Sequence, residues 1–416
     1  MKLFYRLVSD IFLLISPIII MYRILKNKES ALRFYERYAI STKTRVSGKL
    51  IWFHCVSVGE LLSIVPMLEK FNNNPNVNQI LITTTTLSSS KIFQRLKLKK
   101  IVHQFFPIDN YFIINKFLNY WKPSVLFLCE SEIWPNLIYK MHQKKIKLVL
   151  LNARMTSKTF NKWKKFKSFS NSIFRKFDKS FAQNQETKNR LFLLGVRKVF
   201  SLGNLKFTTS KKTINEKLEN KILNYFKSKT ILMTAASTHF NEENFVIENH
   251  LYFKNKKQMK NSISIIVPRH IERVDQIKEE IEKFSLNVHL HSSEKKINKD
   301  VDIYIVDTYG DLNKFYKISN VVFLGGSLIN HGGQNPLEPA KFGCKIINGP
   351  NIGNFTEIYS KLNKMGISNT FKTYKHGSKI VEKLLKTKKL QNKNKKIMKY
   401  GKRILNQTYS NISNFI

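Results

Sequence analysis

A chain of 416 residues with 42% hydrophobic residues is long enough for two or three ordinary domains with substantial cores, which excludes a largely disordered protein. Its 72 Lys and Arg against 28 Asp and Glu give a net charge of +44, suited to an anionic membrane surface, a nucleic acid or acidic substrates. Lys, Asn, Ile and Phe are abundant throughout, so part of this excess is a global bias of composition rather than a local device. The three cysteines, Cys55, Cys129 and Cys344, each lie in or beside an apolar run without Cys-x-x-Cys or His spacing. They read as buried reduced thiols, which fits a cytoplasmic catalytic body and offers no metal site.

The N-terminus carries an apolar run, Ile11 to Tyr22, bounded by Arg6, Asp10 and Arg23. A membrane span needs ~20 apolar residues, so the run is short for one, and no small-residue cleavage site follows it. Three readings stay open: a monotopic or marginally spanning anchor, an amphipathic helix in the interface, and a helix packed on the body. Lys26, Lys28 and Arg33 favour attachment of residues 1–28 to anionic headgroups.

From Leu50 the pattern becomes short apolar strands separated by helix-length polar segments. The predicted strands of the first half are Leu50 to His54, Gln79 to Thr83, Ile101 to Phe106, Val125 to Cys129, Leu148 to Leu151 and Val199 to Leu202. Thr208 to Lys221 is lysine-rich and poor in core residues, as a linker would be. The second half repeats the alternation at Thr230 to Ala235, Ser264 to Val267, Val288 to Leu290, Ile303 to Val306, Val321 to Leu324 and Lys345 to Ile347. The expected fold is α/β: two doubly wound domains with a cleft between them, 29–208 and 222–416, joined by 209–221, with the final helices packing back.

Ligands of such sheets bind beyond the carboxyl ends of the strands, and polar clusters crowd those positions here. Glu60 follows Gly59 at a helix start; a carboxylate there either serves the helix dipole or acts as general base on a hydroxyl. Glu130 and Glu132 precede another helix start at Pro135, where capping is the competing role. Arg154, Lys206 and Arg269 are strand-end cations suited to phosphate or carboxylate, although solvated surface cations are common in so basic a chain. His239 and His270 fit the same surroundings or plain loop hydrogen bonding. In Val321 to Phe355, Gly325-Gly326 and Gly332-Gly333 permit sharp turns, and Asn335-Pro336-Leu337-Glu338 reads as an N-capped helix start able to receive an anion. No Walker sequence, intact G-x-G-x-x-G, H-E-x-x-H or G-x-S-x-G occurs.

In their order, HCVSVGE (54–60), ESEIWPN (130–136), NARMTSKT (152–159), GNLKF (203–207), ASTH (236–239), PRH (268–270), DTYGDL (307–312), GGSLINHGGQNPLEP (325–339) and GPNIGNF (349–355) resemble the 3-deoxy-D-manno-octulosonic acid (Kdo) transferases. The resemblance spans nearly the whole chain, including Arg33 to Tyr38. It implies a GT-B glycosyltransferase of two Rossmann-like domains that attaches Kdo from CMP-Kdo to a lipid A precursor at the cytoplasmic face of the bacterial inner membrane, inverting, without metal or cofactor. It makes Glu60 the base and places nucleotide contacts at Pro268, Arg269, Tyr309, Gly310, Asp311, Asn335, Pro336, Leu337 and Glu338. Lys206, Glu130, Glu132 and Arg154 become cleft residues. Gln334, Tyr309 and Asp311 stand where the family usually has His, Met and Glu, which loosens the individual contacts there. Competing readings are another GT-B glycosyltransferase or epimerase using a UDP-sugar, a non-catalytic membrane scaffold, and a nucleic-acid-binding protein. The last would need basic residues gathered with exposed aromatics on one face, whereas here they are dispersed.

Overall fold

The computed structural model describes residues 1–416 except Arg95, Lys97, 209–217 and Lys388, with only the backbone of 391–394. The chain divides into two compact units, Met1–Ser210 with Tyr400–Ile416, and Lys211–Lys399. Most of the expected linker, 209–221, lies outside the described residues. Its last part is not linker: Leu218 is buried in a core cluster and the helix Asn220–Lys227 has begun.

The first unit holds a seven-stranded sheet of β1 (Leu50–Cys55), β2 (Gln79–Thr84), β3 (Ile101–Phe105), β4 (Val125–Cys129), β5 (Lys147–Ala153), β6 (Lys179–Ala182) and β7 (Val199–Ser201). Their order is β3-β2-β1-β4-β5-β6-β7, and every pairing is parallel. The second unit repeats the plan with β8 (Thr230–Thr238), β9 (Ser262–Pro268), β10 (Val288–Leu290), β11 (Ile303–Ile305), β12 (Val321–Leu324), β13 (Lys345–Asn348) and β14 (Ser368–Thr370). Here the order is β10-β11-β9-β8-β12-β13-β14, again all parallel.

Helical crossovers cover both faces of such sheets, which is why β1 and β4 are buried at every residue and read as unbroken apolar runs. Alternate residues of β9 serve opposite faces: Ile263, Ile265 and Val267 pack with Phe226 and Phe315, Ile266 with Phe245 and Phe323. In each sheet the order reverses once, between β1 and β4 and between β8 and β12, and that reversal opens a crevice beyond the strand ends. Both doubly wound halves of the expected fold are therefore present.

The N-terminal helix, Lys2–Leu25, is long and apolar enough to cross a membrane by length and composition. Polar bonds nevertheless fix it along the first unit. Tyr5 donates to Asp109 Oδ2 at 2.9 Å, Asn136 Nδ2 to Ser9 Oγ at 3.1 Å and Asn110 Nδ2 to Asp10 Oδ1 at 2.6 Å, while Ser16 Oγ lies 3.0 Å from Tyr38 OH. The opposite side leaves Leu3, Leu7, Leu14, Ile18 and Leu25 exposed.

The closing helix, Gln391–Ser413, corrects the expected boundary, because Tyr400–Ile416 belongs to the first unit rather than the second. Ile404 and Ile412 are buried, Tyr400 meets Phe207 edge-on at 5.1 Å, and Tyr409 packs on Phe71 at 4.8 Å. A side chain on Gly401 would strike the carbonyl of Phe207 at 2.2 Å, so the helix can come this close only where it carries glycine.

Candidate active site

In the first unit the chain leaves β1 at Cys55 and turns into the helix Val58–Asn72, with Ser57 as its cap. Ser57 Oγ accepts the N–H of Glu60 at 3.2 Å and donates to Glu60 Oε1 at 3.1 Å; Val56 N–H donates to Oε2 at 2.8 Å. This reciprocal pattern is the S-x-x-E capping logic. It holds the carboxylate in place at the reversal point of the sheet. Burial pushes the Glu60 carboxyl up to about 7; the Val56 N–H opposes this, and the charges of Glu130 and Glu132 reinforce it. A carboxylate that ionises near neutrality has the right strength to take a proton from a hydroxyl.

Across the reversal, β4 ends at Cys129 and is followed by Glu130, whose backbone is left-handed at φ 54°. Its N–H donates to Leu151 O at 3.0 Å and its carbonyl accepts from Arg154 N at 3.1 Å, so the turn is stitched to β5. The buried carboxylate pairs with Lys206 Nζ at 2.7 Å. Lys206 is delivered by a buried amide chain: Asn204 Nδ2 donates to Gln183 Oε1, Gln183 Nε2 to Asn152 O, and Leu205 N–H to Asn152 Oδ1, at 3.1, 2.9 and 2.9 Å. Glu132 accepts from Trp134 Nε1 at 3.0 Å and stands 3.8 Å from His54 Nε2. His54 stacks on Phe106 at 3.8 Å, and burial lowers its pKa, which keeps the ring neutral. The Arg154 side chain is half-buried and has no side-chain partner among the described residues.

In the second unit Pro268 ends β9 opposite Thr238 at the end of β8, and Arg269 N–H donates to Thr238 O at 3.0 Å. The exposed Arg269 guanidinium therefore starts beside His239. The His239 ring lies 4.4 Å from that of His331 and 5.9 Å from that of His270. Its Nε2 is 3.3 Å from Gln334 Nε2. Burial first, then His331, His270 and the nearby arginines, push His239 down to about 4.

Asn335 Oδ1 accepts the N–H of Leu337 at 3.1 Å, but the helix runs Leu337–Lys341 with Pro336 rather than Asn335 at its cap position, one residue later than the sequence suggests. Leu337 and Pro336 are buried, while Glu338 is exposed. Tyr309 is 69% exposed and donates to Glu272 at 3.3 Å. Gly310 is left-handed at φ 99° with open space around it. Asp311 is engaged by Lys314 at 2.6 Å and Thr308 at 2.5 Å; burial alone would raise its pKa, but these partners hold it below the usual range.

Residues 32–209 match the family model of 3-deoxy-D-manno-octulosonic-acid transferase (kdotransferase). The chain is 35% identical over 359 residues to the 3-deoxy-D-manno-octulosonic acid transferase of Rickettsia bellii, covering 86% of this chain and 84% of that one. The chain belongs to the Kdo transferase family. The Haemophilus influenzae Kdo transferase is 29% identical over 344 residues, covering 81% and 79% of the two chains. Among solved structures, a UDP-N-acetylglucosamine 2-epimerase is alike at TM-score 0.56 and 11% identity, over 88% of this chain and 96% of that one. The Anabaena protein HepE, crystallised with UDP, gives TM-score 0.53 at 10% identity, over 88% and 100%. These two likenesses concern fold alone.

Of the expected site residues of this Kdo transferase, the structure brings Glu60, Glu130, Glu132 and Lys206 together at one sheet reversal, and Pro268 and Arg269 together with the His239 turn at the other. Two features were not foreseen. The pairing of Glu130 with Lys206, and the Asn152–Gln183–Asn204 chain behind it, join residues from four strand ends, those of β4, β5, β6 and β7, with no local signature. Glu242, within the polar run ASTHFNEEN, is fully buried with its carboxylate on four backbone N–H groups. Three of its partners lie 84 to 86 residues further along the chain, so no sequence spacing announces them. The one available signal was an adjacent Glu242-Glu243 pair at a helix start.

Proposed function

We propose that this Kdo transferase carries Kdo from CMP-Kdo to a lipid A precursor, lipid IVA, in the assembly of the lipopolysaccharide inner core, with inversion and without a metal ion. The observation that carries the reading is Glu60: a buried carboxylate ionising near neutrality, held by Ser57 and Val56 at the sheet reversal, in a chain whose family transfers Kdo.

In the proposed reaction ionised Glu60 takes the proton of a sugar hydroxyl on the acceptor. That oxygen attacks the anomeric carbon of Kdo from the face opposite the nucleotide, the new glycosidic bond forms, and the bond to the phosphate oxygen breaks as CMP leaves. Arg269 and the strand-end N–H groups of the second unit stabilise the charge gathering on the departing phosphate. The Glu130–Lys206 pair, a half-buried cation on a carboxylate neighbouring Glu60, supports the orientation of the reacting sugar.

The exposed apolar side of Lys2–Leu25, followed by Lys26 and Lys28, supports attachment to the cytoplasmic face of the inner membrane, with the helix lying in the interface. Ser9, Asp10 and Ser16 bond to the body along its length, an arrangement that a spanning helix would have to surrender. Incubation of the purified protein with CMP-Kdo and a tetra-acylated lipid A precursor, read by mass spectrometry, tests the reading and counts the Kdo units added. Transfer from a UDP-sugar in place of CMP-Kdo would move the enzyme to the rival GT-B class.

A further inference from the structure

Glycine-rich turns at the reversal of a doubly wound sheet usually leave their backbone N–H groups open, and such a nest binds ligand phosphate. In this chain the turn after β12 is already filled. Glu242 Oε1 accepts from Ser327 N–H at 3.0 Å and Leu328 N–H at 2.9 Å, and Oε2 from Gly326 N–H at 2.6 Å and His239 N–H at 3.0 Å. Glu242 is 0% exposed, and among the described residues no lysine or arginine pairs with it. Its charge is balanced by backbone dipoles alone, while the neighbouring Glu243 takes Arg273 at 3.2 Å.

The surrounding backbone is shaped to this contact. Gly326 is left-handed at φ 66°, Ser237 is left-handed at φ 54°, and a side chain on Gly325 would meet the carbonyl of Ser237 at 2.3 Å. The turns after β8 and β12 therefore touch at their backbones, with Glu242 bonded to both. His239, whose N–H is one of the four donors, carries the ring that faces His331 and Gln334.

We propose that Glu242 is a positioning residue of the donor site: its carboxylate acts as a built-in anion in the Gly326–Leu328 nest, closing it to ligand phosphate and fixing His239 where the donor binds. The inference rests on the donor reading given above. It sends the donor's phosphate to the groups beside the nest, the Arg269 guanidinium and the imidazoles around His239, instead of to the glycine turn. Glu242→Gln keeps the shape but turns an amide NH2 toward backbone N–H donors; Glu242→Asp keeps the charge and shortens the reach.

The test compares wild type, Glu242→Gln and Glu242→Asp below their melting temperatures, by amide hydrogen exchange at Gly326, Ser327 and Leu328, calorimetric titration with CMP, and steady-state kinetics. In Glu242→Gln the three amides should lose protection, CMP affinity should fall about tenfold or more, and donor KM should rise more than kcat falls. Glu242→Asp should recover part of each. Glu242→Gln with wild-type CMP affinity and donor KM, or with the three amides still protected, would overturn the proposal. If the wild type binds UDP and not CMP, the donor reading fails separately, and the same comparison made with UDP decides the role of Glu242.

Discussion

Glu60 combines a local structural role with the proton-accepting role proposed for it. Its bonds to Ser57 and Val56 are those of a capping box, yet burial and two neighbouring carboxylates raise its pKa to about 7. For the reaction the ionised form is needed, so transfer should rise with pH through about 7 and lose that rise in Glu60→Gln. For stability the sign is opposite. The folded state holds a proton that the unfolded state releases near 4.5, so this group's contribution declines as pH climbs from 4.5 to about 7. The loss is about 3 kcal/mol, and urea denaturation of Glu60→Gln across that window should show a flatter dependence. Lys206 makes a second prediction. Lys206→Met leaves the buried Glu130 carboxylate without its cation and should cost about 3 kcal/mol, with a good part restored by adding Glu130→Gln. The capping box was legible because S-x-x-E is a local pattern. The ion pair was not, because Coulombic partners need only meet in space, and Glu130 and Lys206 stand on strand ends far apart in the chain.

At the scale of elements, the sequence revealed strands that are buried on both faces and concealed those at the margins. The unbroken apolar runs of β1, β4 and β12 were plain. Strands β6 and β14, KSFA and SNT, escaped because they are short and partly polar, and β14 lies at the sheet edge, where only one neighbour dictates its extended form. The N-terminal helix was legible as an apolar run and illegible as a docked element, since the four polar bonds that hold it reach Tyr38, Asp109, Asn110 and Asn136, all distant in the chain. Its two sides make a direct prediction. Leu7→Glu with Leu14→Glu, both on the exposed side, should weaken sedimentation with vesicles rich in anionic phospholipid at least severalfold while moving the melting temperature little. Unchanged vesicle binding would remove this helix from the membrane contact.

Over the whole molecule, one chain builds two sheets of the same plan, each with a single reversal and a set of polar strand ends. The repeat was visible in the rhythm of apolar runs. The return of the C-terminus was only partly so, because the lysine-rich surface of Gln391–Ser413 masks Ile404 and Ile412. Those two buried isoleucines are worth about 4 kcal/mol together by apolar burial. A protein ending at Lys399 should accordingly melt several degrees lower, with the first unit destabilised; an unchanged melting temperature would deny the packing role of Tyr400–Ile416. The basic surface serves the two proposed substrates at this same scale, since Kdo carries a carboxylate and the lipid acceptor carries phosphates.

The central claim is best tested by mass spectrometry of a tetra-acylated lipid A precursor incubated with CMP-Kdo and either the wild-type protein or Glu60→Gln. The wild type should yield precursor carrying one or more Kdo residues, and Glu60→Gln almost none. No Kdo adduct with the wild type, or equal transfer by Glu60→Gln, would contradict it.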